Sequence, residues 1–485
     1  MMSSRMSSSE CGTIVTSLME VTQDYVRNGI PLSLAIHIPG LGEVVCGKVL
    51  RAIRGKRIAC LGKAGDTSFI VKLYFAKHKS RRNWRHSDSG CRSFIERGIP
   101  APRILFSGYL TEYGIYALVL EYIDGGVRID ASLDSMPEKQ MREKLLDSLI
   151  KTLARHHASG VLQNDLHLGN FLIKDEIIYS LDGDQVVRRG ASLGRKRSLA
   201  NLARLLASLP FIVAGDLEER IDAYARERKW GISDADRAAL QDMVFGIRRK
   251  NLSGYLSKVM KSKDPFLASS EQGLFSVFDK RHLDVSLPKV LEASKRSIPA
   301  KSSLGKAGFR VFPVDDADML LLSAHCVGPL VLKGLWSAVG VWENALMLNR
   351  IGIATPQPLA LTLTKRFPLF WLGSVFFKPV EGKDLREFFN TPAVTEEEKY
   401  HIAAALADAF ARMHAMGITA GRIDPERVIV SGRNIIFLNP ATFRRSVLSI
   451  RSKQARMAGI FLAGCKDIPD LRGLLTEYFK KKNLI

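Results

Sequence analysis

The stretch GVLQNDLHLGNFL, residues 160–172, crowds an aspartate, a histidine and an asparagine between apolar residues. Asp165 and Asn170 lie five positions apart on one loop, and Asp182 follows on the next apolar run, IIYSLDGDQV. A carboxylate beside a hydroxyl can orient it and accept its proton. An amide oxygen with a second carboxylate makes a hard-oxygen site suited to magnesium, whose other ligands are usually waters and substrate phosphates. Lys72, central in the apolar run SFIVKLYF, is costly to bury without an anionic partner, and a nucleotide phosphate is such a partner. Together the four residues meet the needs of phosphoryl transfer, where positioning and charge neutralisation supply most of the catalysis. Asp and Asn are also ordinary turn residues, so the surrounding elements have to decide between the two readings.

Those elements recur. Residues 137–160 have helical periodicity, with Leu145, Leu149 and Leu153 on one side. The Asp/Asn loop follows, then a strand NFLI, a turn at Lys174-Asp175 and a strand from Ile177. Residues 396–443 repeat that order: a helix EEEKYHIAAALADAFARMHAMG, a loop ITAGRIDPERVIV, a turn SGRN and a strand IIFLNPATF. Gly160 and Gly417 lie 257 apart, and that offset sets Asp165 against Arg422, Asn170 against Arg427 and Asp182 against Asn439. Upstream, ERGIPAPRIL resembles NRIGIATPQPL, and SFIVKLYF resembles PLVLKGLW with Lys333 in the place of Lys72. The chain therefore reads as an internal duplication. Ser233 with Asp236 before an apolar run marks a helix start in the segment between the copies.

A chain of 485 residues is too long for one ordinary core. Its 46% hydrophobic and 25% charged content is that of a globular protein. Lys and Arg number 71 against 49 Asp and Glu, a formal charge of +22, which points to an anionic partner. No nucleic-acid-binding motif is evident, so no nucleic-acid partner is expected. The six cysteines are scattered without metal-like spacing, as in a reducing compartment. The N-terminus lacks the apolar run of a signal peptide. The most apolar stretch, FPLFWLGSVFF at 367–377, suits a buried strand and is short for a membrane helix. A cytoplasmic protein is expected.

D-L-H-x-x-N followed by an apolar strand and L-D-x-D resembles the catalytic and metal-binding loops of the protein-kinase-like superfamily. Within it, IRGKRIACLGKAGDTSFIVKLYF, CRSFIERGIPAP and GVLQNDLHLGNFLI resemble the bacterial lipopolysaccharide core kinases. The resemblance covers about 45–260 and, in weaker form, 305–450. It implies an α+β fold of tandem bilobal domains, each with a small β-rich lobe and a helical lobe, the second copy degenerate. It implies ATP and Mg2+ as cofactors. Carried over by residue, Lys72 would hold the nucleotide α/β-phosphates, Asp165 would be the catalytic base, and Asn170 and Asp182 would bind magnesium. The backbone of Glu121, Tyr122 and Ile123 would meet adenine, and the RGKR turn, through Gly55 and Lys56, would cover the phosphates. The acceptor implied is a heptose or Kdo hydroxyl of an anionic glycolipid, met at the cytoplasmic face of the inner membrane.

This sequence departs from that family at named places. Gln163 stands where the family has a histidine, and D-F-G is Asp182-Gly183-Asp184. The helix glutamate that pairs with the lysine is not evident, and Asp88 lies at about its place. In the second copy Lys333 and a helix carboxylate, Glu343, are present, but arginine can serve neither as a base nor as a magnesium ligand. A pseudokinase is expected there, in which Arg422 and Arg427 have either an anion-holding or a structural role. His157 reads as a helix-packing residue, His167 as a loop residue, and Arg248-Arg249-Lys250 as a helix surface. The basic residues Arg188, Arg189, Arg195, Lys196 and Arg197 follow the metal strand and face either substrate phosphates or solvent. The expected division is an extension over 1–40, an active kinase-like domain over 41–262, a linker over 263–304 and a pseudokinase over 305–485. A phosphotransferase for a small molecule or protein, and a non-catalytic nucleotide-binding scaffold, are the rival readings.

Overall fold

Alternation of apolar and polar residues in LAIHI, RIACLGKA and TSFIVKLY gives strands with one buried face. The computed structural model describes residues 34–485 apart from 77, 137, 210–216, 264, 272, 283–307, 315–316, 327–337, 368–369, 446–450 and 483. The fold is α+β, and the chain divides into two compact units, Met1–Val244 and Phe245–Ile485.

The first unit opens with a curled antiparallel sheet. Its strands are β1 (Leu34–Ile38), β2 (Gly42–Ile53), β3 (Arg57–Ala64), β4 (Thr67–Tyr74), β5 (Ile104–Leu110) and β6 (Ile115–Glu121), in the order β1-β2-β3-β4-β6-β5. One face buries Phe69, Val71 and Leu73 of β4 with Ile58, Cys60, Val44 and Val119. Each such aliphatic side chain stabilises the fold by about 1.5–3 kcal/mol relative to exposure. The other face of β4 carries Ile70, Lys72 and Tyr74. There Tyr74 joins Leu118, Leu120 and Cys91, with Trp84 packed alongside; Cys91 and Trp84 belong to helix α1 (Ser80–Ile95). Trp84 stacks on Tyr116 at 4.9 Å and donates its indole N–H to Ser107 Oγ at 3.0 Å.

After β7 (Val127–Arg128) come α2 (Ile129–Ser135) and α3 (Lys139–Ala158), in which Leu145, Leu149 and Leu153 are buried as their spacing predicts. Short strands then frame the polar loop: β8 (Val161–Gln163), β9 (Phe171–Lys174), β10 (Ile177–Ser180) and β11 (Val186–Arg188). β8 pairs with β11, and β9 with β10. Helices α4 (Arg195–Ser208), α5 (Leu217–Arg228) and α6 (Asp234–Leu256) follow. The last starts where Ser233 and Asp236 cap each other reciprocally: Asp236 N–H donates to Ser233 Oγ, and Ser233 N–H to Asp236 Oδ2, both at 3.2 Å.

The second unit repeats this order. The first unit's α3, β8, β9, β10 and β11 reappear as α9 (Glu396–Ala415), β19 (Ile418–Ala420), β20 (Val428–Ser431), β21 (Asn434–Phe437) and β22 (Phe443–Arg445), each beginning and ending 257 residues later. The strand registers repeat too: Ile177 opposes Lys174 as Asn434 opposes Ser431, and Val186 opposes Gln163 as Phe443 opposes Ala420. The duplication read from sequence is therefore a duplication of secondary structure at single-residue register.

Four expectations are corrected. The extension over 1–40 is too long, because Leu34–Ile38 is already an edge strand. The linker over 263–304 contains β12 (Phe266–Glu271) and β13 (Leu274–Asp279), two strands of the second unit's six-stranded sheet. That sheet has the order β12-β13-β16-β17-β15-β14, with β14 Gly308–Val314, β15 Ala317–Cys326, β16 Pro358–Phe367 and β17 Phe370–Phe377. Accordingly the second unit starts at Phe245, not at 305. Finally, Arg248 is not on a helix surface but buried, and burial, with Arg412 near it, lowers its guanidinium to about 10. Its neighbour Arg249, also of the second unit, donates to Ala415 O of α9 at 3.0 Å. Val375, Phe376 and Phe377 lie buried in β17, as a strand reading of that stretch requires. Lys333 lies outside the described residues.

Candidate active site

Lys72 sits mid-strand in β4, opposite Ala59 of β3 and Leu118 of β6. Its ammonium donates to Asp182 Oδ1 at 3.0 Å and lies 3.9 Å from Asp184 Oδ1. The side chain is 13% exposed. Burial alone would lower its pKa, but the Asp182 carboxylate, with Tyr74 and Cys91 adding to it, holds the ammonium above its ordinary value. The anionic partner that a buried Lys72 requires is thus Asp182, with Asp184 beside it.

Asp184 carries the rest of the cluster. It accepts from Ser87 Oγ of α1 at 2.5 Å and pairs with Arg57 of β3, while its own N–H donates to Asp182 Oδ1 at 3.2 Å. Arg57 could have been found from strand period: Ala59 opposes Lys72, so Arg57, two residues away, shares the Lys72 face. Asp88, expected near Lys72, instead bonds Arg92 one turn along its own helix, Nε to Oδ2 at 2.9 Å. The i,i+4 spacing of Asp88 and Arg92 was the signal for that outcome. Lys72 therefore meets two loop aspartates, and α1 contributes a hydroxyl in place of a carboxylate.

Backbone also brings this loop close against α1. A Cβ added to Gly90 would lie 1.9 Å from Gly183 O, and one added to Gly183 would lie 2.5 Å from Cys91 N. Only glycine at both places permits this approach, which fixes Asp182 and Asp184 relative to the helix.

Below lies the Asp165 loop. The Asp165 carboxylate is 43% exposed, with His167 Nε2 3.9 Å away. Asn170 is buried, and its amide NH2 donates to Asp165 O at 2.8 Å, leaving Oδ1 as its lone-pair end. Leu181 N–H donates to Asn170 O at 3.0 Å, so the loop is tied to the segment carrying Asp182. Gln163, in the place of the family histidine, donates from Nε2 to Asp182 O at 3.3 Å, while its buried Oε1 has no partner. Asn201 of α4 donates to Gln163 O at 2.9 Å, and Asn201 Oδ1 in turn meets His157 Nε2 at 2.9 Å. His157 Nδ1 lies 2.7 Å from the Tyr224 hydroxyl. Burial, outweighing Asn201, lowers His157 to about 4, so it is a neutral strut beneath the loop. The helix-packing role read for it holds.

The remaining predicted residues are less converged. Glu121 ends β6, and its carboxylate is held by Arg103, which keeps it below the usual carboxylate range. Glu121 N–H donates to Arg103 O, and Ile123 O accepts from Gly126 N–H. Ile123 N–H makes no described intramolecular hydrogen bond. Tyr122 is exposed. Gly55 (φ +61) and Lys56 form the turn between β2 and β3 and touch none of the site residues through a described bond, whereas Arg57, which ends that RGKR turn, reaches the site. Of the basic run, Arg188 pairs with Glu96 and Arg195 with Asp236, whereas Arg189, Lys196 and Arg197 are exposed. Arg204, which sequence reasoning missed, donates to Asn164 Oδ1 at 3.3 Å, one residue from Asp165.

In the second unit, Arg422 and Arg427 flank Asp424, with Arg422 Nε 2.6 Å from Oδ1 and Arg427 Nε 3.8 Å from Oδ2. Glu343 is half-buried and raised by that burial, with Arg445 opposing the shift. Among the described residues no helix is long and apolar enough to cross a membrane, and no group of three or more His, Cys, Asp or Glu could hold a metal ion. Neither a family model nor a curated protein matches the chain.

Proposed function

We propose that the first unit is an ATP- and magnesium-dependent phosphotransferase with protein-kinase-like lobes, and that the second unit is a degenerate copy. The observation that carries this reading is the meeting of Lys72 with Asp182 and Asp184 above a loop presenting Asp165 and Asn170. The donor set fits the cofactors: the Asp182 carboxylate and the Asn170 amide oxygen are hard ligands, too few to enclose magnesium but suited to sharing it with phosphates. A buried ammonium with anionic partners is equally suited to phosphate oxygens. ATP with magnesium supplies the phosphoryl group and neutralises its charge.

The chain's own residues would do the rest. Lys72 would hold the α/β-phosphates, with the backbone of Glu121 to Ile123 against adenine and the turn at Gly55 and Lys56 over the phosphates. Asp165, exposed and held from behind by Asn170, would orient an acceptor hydroxyl and take its proton as its oxygen bonds the γ-phosphorus and the γ-phosphorus bond to the departing ADP breaks. The +22 charge, Arg204 bonded to the loop at Asn164, and the exposed Lys196 and Arg197 at the start of α4 suit an anionic acceptor. The acceptor class that best joins these features is a heptose or Kdo hydroxyl of the lipopolysaccharide inner core, reached peripherally at the cytoplasmic face of the inner membrane.

The test is transfer from labelled ATP to purified core glycolipid, with magnesium and with EDTA. Label in the glycolipid only with magnesium, lost in Asp165→Asn, supports the reading. Nucleotide-induced stabilisation with no transfer to any core glycolipid favours the scaffold reading. Transfer to a small molecule or protein instead would keep the phosphotransferase and change its acceptor.

A further inference from the structure

The second unit's loop encloses a recess lined by Arg422, Arg427, Asp424 and Asn439 over Phe437 and Phe443. It occupies the position that Asp165, Asn170 and Asp182 define in the first unit, because β19 to β22 repeat β8 to β11 residue for residue. Every group that could ligate a cation there has changed. Asp165 and Asn170 have become arginines, which have no lone pair to offer. Asn439 replaces Asp182, and its Oδ1 is engaged by Ala441 N–H at 3.3 Å, so its NH2 is the polar end that remains.

The one carboxylate present does not satisfy the two guanidiniums. Asp424 takes the Nε edge of Arg422 at 2.6 Å and stands 3.8 Å from Arg427 Nε. No described hydrogen bond engages the Nη ends of either arginine. Two cations against one carboxylate leave the recess positive. Its floor, where the rings of Phe437 and Phe443 meet at 5.8 Å, is apolar. Planar guanidinium forks match the oxygens of phosphate bidentately.

We propose that this recess binds a phosphate or pyrophosphate group directly through Arg422 and Arg427, without a divalent cation. The arginines stand in for the metal that the first unit's residues could hold, so the second unit is an anion receptor and goes beyond the activity proposed above. The anion is either free or part of a phosphorylated molecule.

Calorimetric titration of the full chain tests this in EDTA, with Lys72→Met present so that the first unit does not report. Inorganic pyrophosphate and a sugar monophosphate are the two probes. Saturable binding of either one is expected, weakened about tenfold or more by Arg422→Gln with Arg427→Gln. Tighter binding of the sugar monophosphate assigns the larger source, and tighter binding of pyrophosphate the free anion. The paired Lys variants, which keep charge but lose the fork, should fall between. Thermal melting of each variant shows whether the second unit remains folded. Absence of binding by both probes, binding that requires magnesium, or unchanged affinity in a folded double-Gln variant overturns the proposal.

Discussion

Positions 165, 167, 170 and 182 hold Asp, His, Asn and Asp, while their counterparts 422, 424, 427 and 439 hold Arg, Asp, Arg and Asn. The acidic and basic partners have changed places across the same loop: Asp165 faces His167 in one unit, and Arg422 faces Asp424 in the other. Around them the apolar positions persist. Val161, Leu166, Phe171 and Ile178 are buried in the first unit, and Ile418, Ile423, Val428 and Ile435 are buried at the same offset. Burial of these side chains accompanies the same strands and turns in both units, while the polar residues between them differ. Backbone seating shows the same logic solved twice. Gly90 lets Gly183 O approach α1, whereas Asn344 of α7 (Ala338–Arg350) donates to Pro440 O at 3.0 Å and Phe443 O at 2.7 Å. Gly90 and Asn344 each precede by eight residues the positive-φ glycine, Gly98 or Gly352, that follows the helix.

The largest separation of the two loops should come from Asp165→Asn. If Asp165 is the base, transfer falls by roughly 10²–10⁴ while nucleotide-induced stabilisation persists; a fall below tenfold would remove Asp165 from the chemistry. Acid should distinguish the units next. His157 titrates near 4 when folded and about 6.5 when unfolded, so the unfolded chain binds more protons between those values. Stability that is fully present above pH 6.5 is therefore lost as pH falls toward 4, by roughly 3 kcal/mol. His156, pushed by burial to about 3, extends the loss in the same unit. The second unit has His414 at the position of His157, also lowered by burial, but Met413 at that of His156. Melting curves from pH 7 to 4 should show the first unit's transition falling faster; parallel transitions would contradict the buried pair.

Exchanging the seating residues tests the backbone contact. Gly90→Ala places a Cβ against Gly183 O and should destabilise the first unit by about 3 kcal/mol, lowering transfer with it. Asn344→Ala removes two bonds to carbonyls and should cost the second unit about 1–3 kcal/mol with no effect on transfer. Equal effects of these two changes on transfer would mean that the loops are not independent. The smallest effect is expected from Gln163→Ala, which imports Ala420 of the second unit. It removes one bond to Asp182 O and one unpartnered oxygen, so a loss of about 1 kcal/mol is expected from chemical denaturation.

Much of this was legible in the chain. The 257-residue offset and the loop strands follow from periodicity, and the cost of burying Lys72 alone called for an anionic partner, a place that Asp182 takes. Asp184 as the hub was not legible, since two aspartates in Asp182-Gly183-Asp184 cannot be ranked without knowing that Gly183 turns the loop against Gly90. Asp88 misled because a carboxylate at the right helical height can be captured by its own i+4 neighbour, Arg92. The strands Phe266–Glu271 and Leu274–Asp279 were hidden in a mixed, basic stretch, where charge and serine content obscure a short apolar alternation.

Those two strands carry a practical consequence for anyone dividing the chain. β13 supplies the hydrogen-bonding partner of β16 from Leu274 opposite Thr364 to Phe278 opposite Ala360. A fragment beginning at residue 305 would strip that partner away and leave the β16 backbone bare, a template on which other chains can assemble. It would precipitate or swap strands for reasons unrelated to its own chemistry, so a piece meant to behave as the second half does in the whole protein has to start ahead of Phe266.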